Sequence, residues 1–365
     1  MGRTQVDSRA ETLPYSWYTD PEVARAEHEH IFRRSWQYVG HLGELGGPGS
    51  MFPTQVGGMP LVVVLDREEE LRAFMNVCRH RGTVLVNEPQ RRGTIQCPYH
   101  AWTYGLDGAL RGAPRSKEEP DFDADGLGLA PVQVDTWGPF VFVNPDPEAA
   151  PLADTLGDLP DVVAENGLDV DVLRFHHRVA YEVQANWKIA MENYLECYHC
   201  QLNHPDLVQV IDEQAQRQEH AGLRLSQFPP LNPSLEPGQA PYDLSGGPPT
   251  AQYHILFPAM KFNVNPGRPN LSIGPMWPVA HDRTSAWFDY FFAEGTDEAW
   301  IQEMLAFDDQ VGSEDTALVE AVQRGAGSGA LPHGRLLTRT EVLIGAFQEL
   351  VRGRVEPALA DRDSA

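Results

Sequence analysis

Cysteine is scarce in this chain. Four residues in 365, Cys78, Cys97, Cys197 and Cys200, are too few for a disulfide scaffold and suit ligands or buried thiols better. No apolar run approaches the roughly 18 residues that span a bilayer, so no membrane association is expected. The opening MGRTQVDSRAETLPYSW is polar, without the apolar core of a secretory signal. Val6 stands where a myristoylation signal would want Ser or Thr. The expectation is a cytoplasmic protein. Basic residues are also short, 28 Lys and Arg against 52 Asp and Glu for a net charge of −24. That balance excludes nucleic acid as an expected partner, because phosphate binding wants basic patches. No internal repeat is visible.

The basic deficit is uneven. Residues 79–117 hold seven basic groups (Arg79, Arg81, Arg91, Arg92, Arg111, Arg115, Lys117) and two acidic ones, Glu88 and Asp107. This stretch is either a solvated basic face or a docking patch for an acidic electron-transfer protein, whose encounter complementary charge would speed.

Length allows two domains. Residues 21–34 read as a helix, with Asp20 as N-cap and Pro21 at the first position. From about 38 to 150 the pattern changes to short strands punctuated by Gly and Pro: 60–65, 71–76, 94–97 and 139–144. NPDPEAAP (144–151) is a Pro-rich join. Beyond it the character is α+β: a strand at 174–185, a helix from about Trp187, a Pro-rich loop over 229–249, aromatic strands including 285–294, and a helix over roughly 297–324.

Two constellations carry chemistry. In the β module, Cys78-Arg79-His80 and Cys97-Pro98-Tyr99-His100 are separated by sixteen residues. Each pair presents two ligands from one tight turn. Two Cys and two His can hold a structural zinc, but zinc fingers put both Cys first and both His on a helix. One thiolate and one imidazole per loop suits a cluster with two thiolates on one iron and two imidazoles on the other.

The second constellation lies in NWKIAMENYLECYHCQLNHP (186–205). At 100° per residue, Glu192, Glu196 and His199 fall at about 0°, 40° and −20°, one face of a helix. His204 precedes Pro205, where that helix should end. Two imidazoles plus one carboxylate, leaving open positions, make the facial triad of iron(II) oxygenases. Cys197 and Cys200 form a Cys-x-x-Cys, but within this segment they are expected to be buried packing thiols.

Through CRHRG (78–82), CPYHAWTY (97–104) and Glu196-Cys197-Tyr198-His199 followed by His204, the chain resembles Rieske non-haem iron oxygenase α (oxygenase) subunits. The resemblance implies a small all-β Rieske domain (38–150) before an α+β, helix-grip-like catalytic domain with a central antiparallel sheet (151–365). An N-terminal helix (1–37) would pack on the latter. It implies a 2Fe-2S cluster bound by Cys78, His80, Cys97 and His100, and a mononuclear Fe(II) bound by His199, His204 and an aspartate downstream. Asp315 fits best, with Leu318, Val319 and Val322 at +3, +4 and +7 marking an apolar, inward stripe; Asp308 and Asp309 compete. Glu196 stands where the family's carboxylate bridges a cluster histidine to an iron-bound histidine across a subunit boundary, so a homotrimer or multiple of trimers is implied. Many ring-hydroxylating members carry Asp there; the bland alternative for Glu196 is a salt-bridged acid. Asn193 and Glu192 are expected to orient ligands, and Gly82 and Gly105 to let backbone N–H groups approach the cluster sulfurs.

Electrons would come from external NAD(P)H through a separate flavin-dependent reductase, a ferredoxin, or both, and O2 and a small molecule would be the substrates. ENYLECYHC (192–200) looks like the branch that oxidises quaternary ammonium compounds such as choline, glycine betaine, carnitine and proline betaine. The alternative is an aromatic or other uncharged small molecule. Met260–Asn265, Trp277 and the aromatic run 287–292 are candidate pocket elements, an aromatic cage being a good host for a cation.

Overall fold

Hydrophobic alternation and β-branched runs build both halves of the chain. The computed structural model describes residues 10–362 except 237, 248 and 249; residues 1–9, with the Val6 position, lie outside it. The chain divides into two units, one of residues 32–152 and another formed by the preceding segment with residues 153 onward.

The 32–152 unit is all β. Its seven-stranded antiparallel sheet runs in the order Gln37–His41, Phe140–Asn144, Pro131–Trp137, Leu71–Met75, Met59–Leu65, Ser50–Val56, Gln90–Arg91. Val62, Val63 and Val64 are fully buried, as expected of a continuous β-branched run in a central strand. The charged turn after it closes on Asp66, whose carboxylate accepts from the backbone N–H of Glu68 and Glu70 and from Arg72 Nε. A three-stranded sheet, Ile95–Gln96, Thr103–Tyr104 and Leu110–Gly112, carries the second Cys/His loop.

The larger unit has a seven-stranded antiparallel sheet in the order Leu173–Val183, Arg283–Ala293, Asn270–Ala280, Met260–Val264, Gln252–Leu256, Arg224–Phe228, Arg217–Ala221. Strand alternation sorts the aromatic run cleanly. Asp289 turns to one face and pairs bidentately with Arg178 directly opposite, while Phe288 and Tyr290 turn to the other and line a cavity. At Gly274 a Cβ would lie 1.7 Å from the Trp287 carbonyl oxygen, so only glycine fits.

The helix Pro21–His30 starts as the sequence requires, with Asp20 accepting from Glu22 N–H. Asn186 caps the helix Trp187–Tyr194 through Lys188 N–H, and its own N–H donates to Gln323 of the long helix Glu298–Gly327. The Pro-rich stretch 229–249 is loop, pinned by bridges Ile211↔Leu231 and Pro230↔Thr250. Among the described residues no helix is long and apolar enough to cross a membrane.

Candidate metal centres and cavity

In the all-β unit, each ligand loop is a short hairpin. Cys78 N–H donates to Thr83 O and Gly82 N–H to Cys78 O; Cys97 N–H donates to Trp102 O and Ala101 N–H to Cys97 O. The loops bring Cys78, His80, Cys97 and His100 together. The imidazoles of His80 and His100 lie 4.7 Å apart between centroids, and the Cys97 thiol is within hydrogen-bond reach of Cys78. Trp102 stacks on His80 at 5.0 Å. Cys78 Sγ lies 3.3 Å from the Tyr104 hydroxyl. Burial opposes the Cys97 thiolate, yet N–H groups of Tyr99 and His100 outweigh it and hold the thiol below its ordinary range.

Buried His100 Nδ1 has no hydrogen-bond partner, an orphan that a metal bond would satisfy. Two sulfurs and two imidazoles around that atom fit a Rieske cluster. Backbone N–H groups of Tyr99 and His100 approach the Cys97 sulfur, while the N–H groups of Gly82 and Gly105 themselves donate to Cys78 O and Ala109 O.

In the larger unit, the helix from Trp187 stops at Tyr194. Glu196 and His199 therefore lie in the following turn, not on its face as the 3.6-residue period suggested. Glu192, still helical, makes its hydrogen bonds elsewhere than to the candidate ligands. It accepts from the Tyr18 hydroxyl at 2.9 Å and from Gln348 at 3.1 Å, and burial pushes its carboxyl up to about 7 despite those bonds.

The turn and the long helix create a tight donor triangle. His199 Nε2 and His204 Nε2 are 3.1 Å apart, and Asp315 Oδ1 lies 3.3 and 3.0 Å from them. Bonds of about 2.1 Å at right angles to one metal would space such donors by about 3 Å, so the set fits a facial triad. Behind each ligand stands a partner that fixes its ring or oxygen. Glu196 accepts from His199 Nδ1 and from the backbone N–H groups of Tyr198 and His199. Glu314 lies 2.7 Å from His204 Nδ1. Asn193 Nδ2 donates to Asp315 at 3.1 Å. Although burial opposes its charge, hydrogen bonds to Asp315 and Glu196 push the His199 imidazole up to about 9.

Glu314 was not foreseen; its signal was adjacency to Asp315. Along the long helix the buried residues after Asp315 are Val319, Gln323 and Ala326, whereas Val322 is 52% exposed, because that stripe is centred about 50° to one side of Asp315 and Val322 falls on the other. Cys200 also lies near the two imidazoles. The structure joins it to Cys197 in a disulfide rather than leaving two packing thiols, their Cα atoms being 4.9 Å apart, well within bridging range.

The triangle opens into a cavity of about 400 Å³ in the same unit. Its walls include Tyr181, Tyr194, Tyr253, Phe288, Tyr290 and Phe307, with Lys261, Asn263 and Asp308 as polar groups. Of the expected pocket elements, Lys261, Asn263, Asn265, Phe288 and Tyr290 contribute; Trp277 instead packs edge-on against Trp287 at 4.7 Å. Asp308, two helical turns before Asp315, accepts from the Tyr290 hydroxyl at 2.6 Å rather than joining the donor triangle.

Residues 35–133 match the family described as Rieske [2Fe-2S] domain, and residues 170–357 that described as ring hydroxylating alpha subunit (catalytic domain). The chain belongs to the Rieske ring-hydroxylating oxygenase family. It is 34% identical to the carnitine monooxygenase oxygenase subunit of Escherichia coli (strain K12), over 89% of this chain and 87% of that one. It is 30% identical to chloroplastic choline monooxygenase of Beta vulgaris, over 90% and 75%. The crystal structure of the quaternary ammonium Rieske monooxygenase CntA in complex with substrate L-carnitine superposes with a TM-score of 0.82 at 29% identity, covering 97% of this chain and 99% of that one. This oxygenase is thus an O2-using oxidoreductase that works with a Rieske 2Fe-2S cluster, a mononuclear iron and an electron-transfer partner.

Proposed function

We propose that this oxygenase hydroxylates a quaternary ammonium compound, N-demethylating it or cleaving its C–N bond. The observation that carries the reading is the cavity: aromatic faces and a half-buried carboxylate, Asp308, beside the donor triangle. Aromatic faces attract a cation without hydrogen-bonding it, which suits a trialkylammonium that has no N–H to offer. Asp308, whose carboxyl burial raises, supplies the compensating charge. The carnitine and choline monooxygenases among the relatives support the same class.

In this reading Cys78, Cys97, His80 and His100 hold the cluster, and His199, His204 and Asp315 hold the mononuclear iron. When bound, the two centres supply electrons and activate dioxygen. The chain's own residues set the stage. Glu196 fixes the proton on His199 Nδ1 so that Nε2 faces the metal, Glu314 does the same for His204, and Asn193 orients Asp315. Glu196 also serves as the bridging carboxylate to a cluster histidine of a neighbouring copy in a homotrimer. A separate flavin-dependent reductase or ferredoxin, fed by NAD(P)H in the cytoplasm, docks on the basic stretch 79–117.

Single turnover by chemically reduced enzyme tests the reading, with quaternary amines set against methoxylated and plain aromatics. An amine product stoichiometric with cluster oxidation supports it. An aromatic product with silence across the amines overturns it and leaves the family's chemistry intact.

A further inference from the structure

The cavity contains a charge that a simple trialkylammonium alcohol does not need. Lys261 stands on the strand Met260–Val264, among Met, Phe, Asn and Val, and lines the cavity. Its ammonium lies 4.5 Å from the centroid of the Tyr194 ring. The adjacent position across the sheet is Gly274, so no side chain from that strand crowds the lysine.

Among the described residues no carboxylate lies within ion-pair distance of Lys261, and Asp308 has no cationic partner either. Of the acids whose charge acts on Lys261, Asp315 and Asp308, the first is engaged by His199 and His204. A buried, unpaired charge is costly to keep. Here two charges of opposite sign line one cavity: Asp308 accepts from Tyr290 and Asn265, whereas among the described residues no hydrogen bond or ion pair reaches the Lys261 ammonium, which is left for a ligand. Lys261 already occupies a face of Tyr194, so a second cation is repelled from there toward Tyr290 and Asp308. An anionic group on the same ligand would meet Lys261.

We infer that Lys261 is the specificity residue that binds a carboxylate carried by the substrate, so that this oxygenase prefers zwitterionic trimethylammonium carboxylates over uncharged-tail analogues such as choline. The inference rests on the quaternary ammonium reading above and divides that class in two. Burial drives the Lys261 ammonium down to about 8, so it remains a cation near neutrality.

The test compares a trimethylammonium carboxylate with its own methyl ester, which keeps the skeleton and the cation but removes the anion. Holoenzyme is reduced chemically and product is measured at graded substrate. One charge-assisted hydrogen bond corresponds to roughly a 10- to 150-fold difference in KM in favour of the carboxylate. Lys261→Met should raise KM for the carboxylate by that factor without raising KM for the ester; Lys261→Arg should keep most of the preference. Carboxylate and ester used alike by the wild-type enzyme would overturn the inference, as would a preference that Lys261→Met does not move. If Lys261→Met does not fold, the wild-type ratio alone decides. Turnover of neither compound would instead sink the quaternary ammonium reading, and this inference with it.

Discussion

Replacing Glu196 by Gln changes one atom and removes one charge, and its consequences can be worked out from three contacts. One carboxylate oxygen accepts from His199 Nδ1; the other accepts from the N–H groups of Tyr198 and His199. The side chain is 11% exposed, so water cannot replace a lost partner cheaply. An amide keeps one acceptor and points its NH2 at a donor, so either the ring or the turn loses its bond. A charge-assisted hydrogen bond is worth about 1.5–3 kcal/mol, which is roughly 10- to 150-fold in a binding constant. Mononuclear iron should therefore bind roughly 10- to 150-fold more weakly, measured by iron retention against graded chelator. The cluster absorbance, arising in the other unit, should be unchanged. The bridging role adds a second expectation: with the mononuclear site refilled at excess iron, electron transfer from the cluster should still be slowed at least tenfold. Full rate on refilling would leave Glu196 as a positioning residue and remove the bridge. Unchanged iron affinity together with unchanged rate would refute both roles.

Asp315→Ala should strip the mononuclear iron and spare the cluster spectrum; iron retained in full would shift the third ligand to Asp308 or Asp309. Arg91 and Arg92 are exposed, and among the described residues neither meets an acidic group. Changing both to Glu should slow reduction by the electron-transfer partner most at low salt, the two proteins converging as ionic strength rises; equal rates at low salt would remove the docking patch. Glu192 gives a stability prediction. Its carboxyl is raised to about 7 in the folded state, among Tyr18, Gln348, Lys188 and Glu341, against about 4.5 unfolded, so the native state holds the proton more tightly. Stability is therefore lost as pH rises from about 4.5 through 7, by up to about 3 kcal/mol. Glu192→Gln should flatten the fall in melting temperature between pH 5.5 and 8, and an unchanged slope would count against a protonated Glu192.

Where candidate ligands sit close in the chain, the amino-acid order alone pointed to the chemistry. Cys78 and His80, Cys97 and His100, and His199 and His204 are each separated by five residues or fewer, a span governed by local turn geometry, so their pairing was legible before any fold was known. The strand alternation that separates Phe288 and Tyr290 from Asp289 is equally local, a consequence of the two-residue period. Tertiary structure decided the rest. Asp315 reaches His204 across 111 residues, which depends on how a 30-residue helix packs. Glu192 shared the expected face and turned away, because the helix ended at Tyr194 and the ligands passed to a turn. Asp308 read as a competitor for the third iron ligand, and Lys261 only as one residue of the candidate pocket stretch 260–265. Only the packing of their helix and strand around one cavity makes them a pair of opposite charges.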